Sequence, residues 1–344
     1  MSSLTVGVVL AIIAGIINGS FATPVKYAKV WKWENIWSVW AIFGMVIFPW
    51  LILFLTVPNP IGVYEQGGMK NVMMLVAFGV GFGLAQILFG LGIAAVGIAL
   101  NFAIAIGIST AFGSLLPLII KDREKLFTPQ GHMLLLGVLL IVVGIVGCAI
   151  AGKMKDTHLG ADERPRESTA VHMSFKAGLI IVILAGIGSP LINFGLAFGD
   201  KLKEVAGVQG VSAGMQANVI WAPLNTAAFI PYIIYCIYLW KKNRTAGLFT
   251  ATGTGWNWVF GAVMGGLWFG STVIYGVITA KLGKMGPILG WPLFMSAIIV
   301  TSNVVGLVTG EWKGSGSRAL TSMLGSIAFL ILGFGVLAYA GSLS

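Results

Sequence analysis

Residues 132–152 read HMLLLGVLLIVVGIVGCAIAG, and after the opening histidine the run holds no acidic or basic side chain. A helix gains about 1.5 Å per residue, so about 20 apolar residues cross the hydrocarbon core of a bilayer. This run meets that length and holds no polar stripe that could face water. Reading outward from it, nine further apolar runs fall at roughly 4–23, 36–57, 71–93, 97–120, 175–199, 213–239, 256–279, 285–308 and 319–341. The expected fold is an all-α integral membrane protein of ten transmembrane helices.

Composition agrees. The 344 residues are 57% hydrophobic and 9% charged, against about 25% charged in soluble domains. Mean hydropathy is +0.94. The 48 glycines have no three-residue period and suit helices packed closely in lipid. The formal charge of +10 sits mostly in short loops, which makes it an orientation signal and not a nucleic-acid footprint. Cys148 and Cys236 lie inside apolar runs, so neither a disulfide framework nor a metal site is expected. The first run lacks a basic leader and a small-residue cleavage site, and reads as the first span.

The longest polar stretch, Lys153 to Ser174, divides the chain into residues 1–152 and 175–344. Five spans fall on each side. The third span of each half opens on a glycine-rich FG segment, Phe78-Gly79-Val80-Gly81-Phe82-Gly83 and Phe260-Gly261-Ala262-Val263-Met264-Gly265-Gly266. Each then reaches a Gly-containing turn, near Gly92 to Gly97 and near Gly276 to Gly286. An odd number of spans per half inserts the halves upside down to one another, the inverted 5+5 repeat of many secondary transporters. Loops after odd-numbered spans hold 13 Lys and Arg, against 8 after even-numbered spans. That bias predicts cytoplasmic odd loops and both termini outside.

All eleven acidic residues lie in loops or at span ends: Glu34, Glu65, Asp122, Glu124, Asp156, Asp162, Glu163, Glu167, Asp200, Glu204 and Glu311. His132, His158 and His172 do the same. No carboxylate marks a midplane proton relay, and no histidine pair could ligate haem. No cofactor is expected. Lys26, Lys29 and Lys32 read as orientation charges, with Glu34 placed to pair with one of them.

Neutral polar residues inside the spans do share faces. Asn218, Trp221 and Asn225 form one stripe; Trp268, Ser271 and Tyr275 form another; Ser189 and Asn193 flank Pro190; Asn18 lies within about two turns of Lys26. Amides and hydroxyls bond sugar hydroxyls, while indole and phenol rings offer flat apolar faces, a mixture suited to a neutral polyol. The same side chains also bond helix to helix, and tryptophans also mark the membrane interface. Gln86 shares a stripe with Gly79, Gly83 and Gly90, the pattern of a close helix contact. Candidate substrate-binding residues are Asn18, Gln86, Asn101, Asn193, Asn218, Trp221, Asn225, Trp268 and Tyr275. Pro190, Pro223 and Pro292 are placed to break or kink their spans. No HExxH, P-loop or Gly-x-Ser-x-Gly occurs.

Several segments resemble the L-rhamnose–proton symporter family of the drug/metabolite transporter superfamily. They are Pro24 to Val39, PVKYAKVWKWENIWSV; Gly90-Leu91-Gly92 with Ala103 to Ile108 and Gly113 to Pro117; and Gly306 to Lys313, GLVTGEWK. The resemblance implies ten helices, an inverted repeat and proton-coupled uptake of a 6-deoxy-hexose through an inner membrane. The stretch Lys284 to Pro292, KMGPILGWP, departs from the family's pattern, which carries a polar segment with tyrosine and an acid there. The expected partners are a small neutral sugar, a proton and membrane lipid, with no nucleic acid; the sequence sets no oligomeric state. With no midplane carboxylate, coupling falls to Glu34, Asp200 or Glu311. Competing readings are an exporter or exchanger of another metabolite, and a non-transporting sensor or embedded enzyme. The first lacks the membrane-embedded acid of cationic-drug exporters. The second lacks a soluble relay domain or an acid, base and nucleophile cluster.

Overall fold

The structure, a computed structural model, describes residues 2–159 and 174–343. Among these it is all helical, with ten helices long and apolar enough to span a bilayer: Ser3–Tyr27, Trp33–Thr56, Met69–Val96, Leu100–Lys121, Pro129–His158, Phe175–Phe198, Asn218–Asn243, Gly255–Lys281, Gly283–Val308 and Ser317–Ser342. The chain is a multi-pass membrane protein, as its hydropathy predicts. Asp162, Glu163, Glu167 and His172 lie outside the described residues.

Several boundaries differ from the sequence reading for local reasons. The third span runs unbroken through Gly92, and the chain turns only at Gly97, where φ is +85°. Glycine alone adopts that conformation without strain. Gly276 likewise sits inside a helix, and the turn falls at residues 282–285. The fifth helix continues through Lys153 to His158, so the polar stretch begins as helix. The seventh begins at Asn218, because Gly214 to Ala217 form turns. Pro190 breaks the sixth span between Gly188 and Leu191, since proline has no N–H to give the ladder. Pro223 and Pro292 remain inside continuous helices. The second span carries a π-helical turn, Ile42–Ile47, which brings Gly44 against Gly265.

Small residues set the closest approaches, because lipid offers no hydrophobic penalty for parting two apolar helices. A Cβ on Gly79 would run into the Leu224 carbonyl oxygen, and one on Gly83 into that of Ala228. A Cβ on Gly261 would meet Val39 at 2.7 Å, and one on Gly265 the Gly44 nitrogen at 2.7 Å. So the two FG segments serve the same packing role. The third span packs on the seventh through one, and the eighth packs on the second through the other. Gly90 has open space around it and takes no part in that contact.

The same exchange runs through the principal pairings. Third with seventh matches eighth with second; first with ninth matches sixth with fourth; third with sixth matches eighth with first. Fourth with fifth matches ninth with tenth, and the fifth and tenth pair with each other. Trading one half of the chain for the other maps each of these pairings onto another in the set, and the fifth–tenth pairing onto itself.

Candidate functional site

The interleaved spans line a partly open cavity of about 210 Å³ near the middle of the bundle. At about 30 Å³ per water, it holds about seven waters, space for one small molecule. Asn18 comes from the first span, Gln86 from the third, Ser109 from the fourth, Ser189 from the sixth, Trp221 from the seventh, Trp268 and Tyr275 from the eighth, and Trp291 from the ninth. Phe82, Phe89, Ile106, Phe294 and Met295 supply apolar wall. No lining residue carries a formal charge, so the cavity suits a neutral ligand.

Its aromatic side chains are held in place. Trp268 meets Trp40 edge-on with centroids 5.2 Å apart, and Tyr275 stacks on Phe294 at 5.1 Å. Trp291 Nε1 donates to the Ser109 carbonyl at 2.9 Å. Asn18 Nδ2 donates to Ser271 Oγ at 2.7 Å, and Ser271 Oγ donates to the Trp268 carbonyl. Two lining groups are buried with no protein partner: Trp221 Nε1 and Ser109 Oγ. Buried polar atoms are nearly always bonded, so an unfilled donor and hydroxyl beside a cavity are groups suited to a ligand or to water.

Of the nine candidate residues, five line this cavity: Asn18, Gln86, Trp221, Trp268 and Tyr275. Asn193 stands immediately behind it. Its Oδ1 accepts from the Tyr275 phenol at 2.6 Å, and its Nδ2 donates to the carbonyls of Gly113 and Pro287. The other three are elsewhere. Asn218 donates to Thr56 Oγ1, tying the seventh span to the second. Asn101 is buried against Gly92, and Asn225 is buried with both amide atoms unpartnered; neither lines the cavity. Sequence reasoning missed Ser109, Thr272 and Trp291 as lining residues. Trp291 had a signal, since it lies in the stretch that departs from the family pattern.

Beyond Tyr275, Asn193 and Trp291 lies an open vestibule of about 550 Å³, lined by Lys121, Asp200, Lys203, Glu204, Gln216, Thr279 and Lys284. Ser114 Oγ donates to the Ile288 carbonyl at 2.7 Å and ties the fourth span to the ninth.

The three candidate acids have separate environments. Glu34 is only 4% exposed, the one buried charged side chain among the described residues. Its Oε1 accepts at 3.0 Å from Nδ2 of Asn243, the last residue of the seventh span, and at 2.7 Å from Thr245 Oγ1 just beyond it. The sequence placed it at a span end, and it is there, but folded inward. Glu311 pairs with Lys26, which gives that lysine a partner beyond its orientation role. The Lys26 hydrogen bond outweighs burial and holds the Glu311 carboxyl below its ordinary value. Burial alone would raise Asp200, but hydrogen bonds from Lys121 (2.5 Å) and Lys203 (2.8 Å) hold it below the ordinary value too. Among the described residues no cluster of His, Cys, Asp and Glu could hold a metal ion.

The sequence matches the family model described as L-rhamnose-proton symport protein (RhaT) over residues 1–340. It is 27% identical over 338 residues to the L-rhamnose-proton symporter of Escherichia coli O17:K52:H18 strain UMN026, covering 96% of each chain. It is 26% identical over 338 residues to the L-rhamnose-proton symporter of Escherichia coli strain SMS-3-5, again with 96% of each chain covered.

Proposed function

Because the chain belongs to the L-rhamnose-proton symport protein family, we propose that it imports L-rhamnose or a closely related neutral sugar together with a proton across a bacterial inner membrane. The observation that carries this reading is the central cavity: uncharged, walled by aromatic rings, and bordered by the unfilled Trp221 Nε1 and Ser109 Oγ. Sugars present hydroxyls at their edges and C–H faces between them, and this lining answers both. Asn18, Gln86, Trp221, Trp268 and Tyr275 are the proposed contacts, with Ser109 added and Asn193 holding Tyr275 from behind.

The halves 1–152 and 175–344 act as the two inverted repeats. Support comes from the matched glycine contacts at Gly79 and Gly83 against Gly261 and Gly265, and from the exchange of span pairings. The Lys and Arg bias puts the loops after odd-numbered spans in the cytoplasm and both termini outside. For the proton, Glu34 is the strongest of the three acids, because Glu311 and Asp200 sit in ion pairs that favour the charged form.

Uptake of radiolabelled L-rhamnose by cells producing the chain tests the reading. Accumulation above the external concentration that collapses on adding a protonophore is the expected result. No uptake by correctly inserted protein would exclude rhamnose and favour another metabolite, with Lys284 to Pro292 the first place to look.

A further inference from the structure

Two ion pairs join one half of the chain to the other. Lys26, at the end of the first span, meets Glu311, just past the ninth. Lys121, the last residue of the fourth span, meets Asp200, just past the sixth. Helices alternate in direction through the bundle, so the first and ninth spans end at one membrane face, and the fourth and sixth at the other. The pairs therefore sit on opposite faces.

They are also counterparts. The exchange of halves that matches the glycine contacts carries the first span to the sixth and the ninth to the fourth. It converts Lys26–Glu311 into Asp200–Lys121, with the signs reversed. The cavity lies between them on all four spans: Asn18 precedes Lys26, Ser109 precedes Lys121, Ser189 precedes Asp200, and Ile298 precedes Glu311.

Both carboxylates are half-exposed. Neighbours brace each pair. Lys26 also donates to Thr309, and Lys155 acts on Glu311 while its ammonium sits over the Trp312 ring at 5.2 Å. Lys203 joins Asp200, and Lys121 and Lys203 donate to the carbonyls of Ala197 and Leu196. Half-exposed pairs are held weakly enough to part and re-form.

We propose that these pairs are opposed latches of an alternating-access cycle. Both pairs are formed in this structure. Parting Lys26–Glu311 opens the cavity to the face bearing the loops after odd-numbered spans. Parting Lys121–Asp200, in the wall of the vestibule, lets the fourth and sixth spans separate and the layer of Tyr275, Asn193 and Trp291 open the cavity to the other face. The inference rests on the central cavity being the transport site, but not on which sugar it takes.

The test uses a Ser189→Cys reporter in the cavity, with Cys148→Ser and Cys236→Ser removing the native thiols. A membrane-impermeant maleimide is applied to right-side-out and inside-out vesicles without sugar. Glu311→Gln is expected to raise labelling from the odd-loop face roughly two- to fivefold and lower it from the other. Asp200→Asn should do the reverse. Lys26→Met should repeat Glu311→Gln, which keeps the test sound if one variant inserts poorly. The charge swap of Lys26→Glu with Glu311→Lys should restore the parent pattern. Labelling unchanged in both variants, shifted the same way in both, or not restored by the swap would overturn the proposal. Rhamnose uptake plays no part in the readout, so failure of the substrate reading would show separately.

Discussion

The phenol of Tyr275 donates to Oδ1 of Asn193 at 2.6 Å, joining the eighth span to the sixth where the cavity meets the vestibule. Both side chains are buried, and the Asn193 amide is further tied to the fourth and ninth spans through Gly113 and Pro287. One hydrogen bond thus closes a contact among four helices drawn from both halves.

Tyr275→Phe removes the donor and leaves Asn193 Oδ1 buried and unfilled. That costs about 1–3 kcal/mol. The expected result is a lower thermal unfolding midpoint in detergent and reduced sugar uptake. Asn193→Asp, which keeps an acceptor for the phenol, should lose less of this hydrogen bond but bury a charge, so it too is expected to unfold earlier than the parent.

Ser109→Ala separates ligand binding from folding. The Ser109 hydroxyl has no protein partner, while its carbonyl keeps the bond from Trp291. Removing the hydroxyl should leave thermal stability unchanged or slightly higher. If the hydroxyl bonds the sugar, KM rises roughly two- to tenfold, matching about 0.5–1.5 kcal/mol for one hydrogen bond. An unchanged KM would remove Ser109 from the site.

Gly83→Ala and Gly265→Ala should both damage assembly, because a methyl at either position meets backbone of the neighbouring span. Gly90→Ala has open space and should insert and fold like the parent. Comparing yield of monodisperse protein for the three variants checks the matched roles of the two FG segments.

The latch carboxylates give a signed expectation for pH. Glu311 and Asp200 are both held below their ordinary values in the closed pairs. A carboxylate shifted downward contributes stability above its ordinary value, about 4, and loses it as pH falls through the lowered one. The two carboxylates therefore stay ionised above about pH 5. Uptake profiles of Asp200→Asn and Glu311→Gln should keep the parent midpoint in that range. A moved midpoint would place the transported proton on the altered residue.

Glu34→Gln keeps an acceptor for Thr245 while removing the charge. If Glu34 carries the proton, this variant exchanges labelled for unlabelled sugar across the membrane but no longer accumulates it. Normal accumulation by this variant and by both latch variants would exclude all three acids from coupling.

The sequence reveals the number of spans, because hydropathy at helical length is a property of each segment alone. Its two FG segments disclose a packing duty that the structure places on Gly79, Gly83, Gly261 and Gly265. Which polar residues meet is a different kind of fact. Asn218, Trp221 and Asn225 share a stripe in sequence, yet only Trp221 reaches the cavity. Helical periodicity gives a face and not the neighbour of that face. Ser109 is hidden because the hydroxyls of its run, Ser109, Thr110 and Ser114, form no stripe that singles it out. Glu34 looked like a loop charge because its partners, Asn243 and Thr245, lie more than two hundred residues away.

Sugar-evoked proton movement is the most direct measurement. L-rhamnose is added to de-energised cells producing the chain in lightly buffered medium, and external pH is followed. Symport predicts a prompt alkalinisation that a protonophore abolishes and that Glu34→Gln and Ser109→Ala reduce. Entry of labelled L-rhamnose with no alkalinisation would contradict proton coupling.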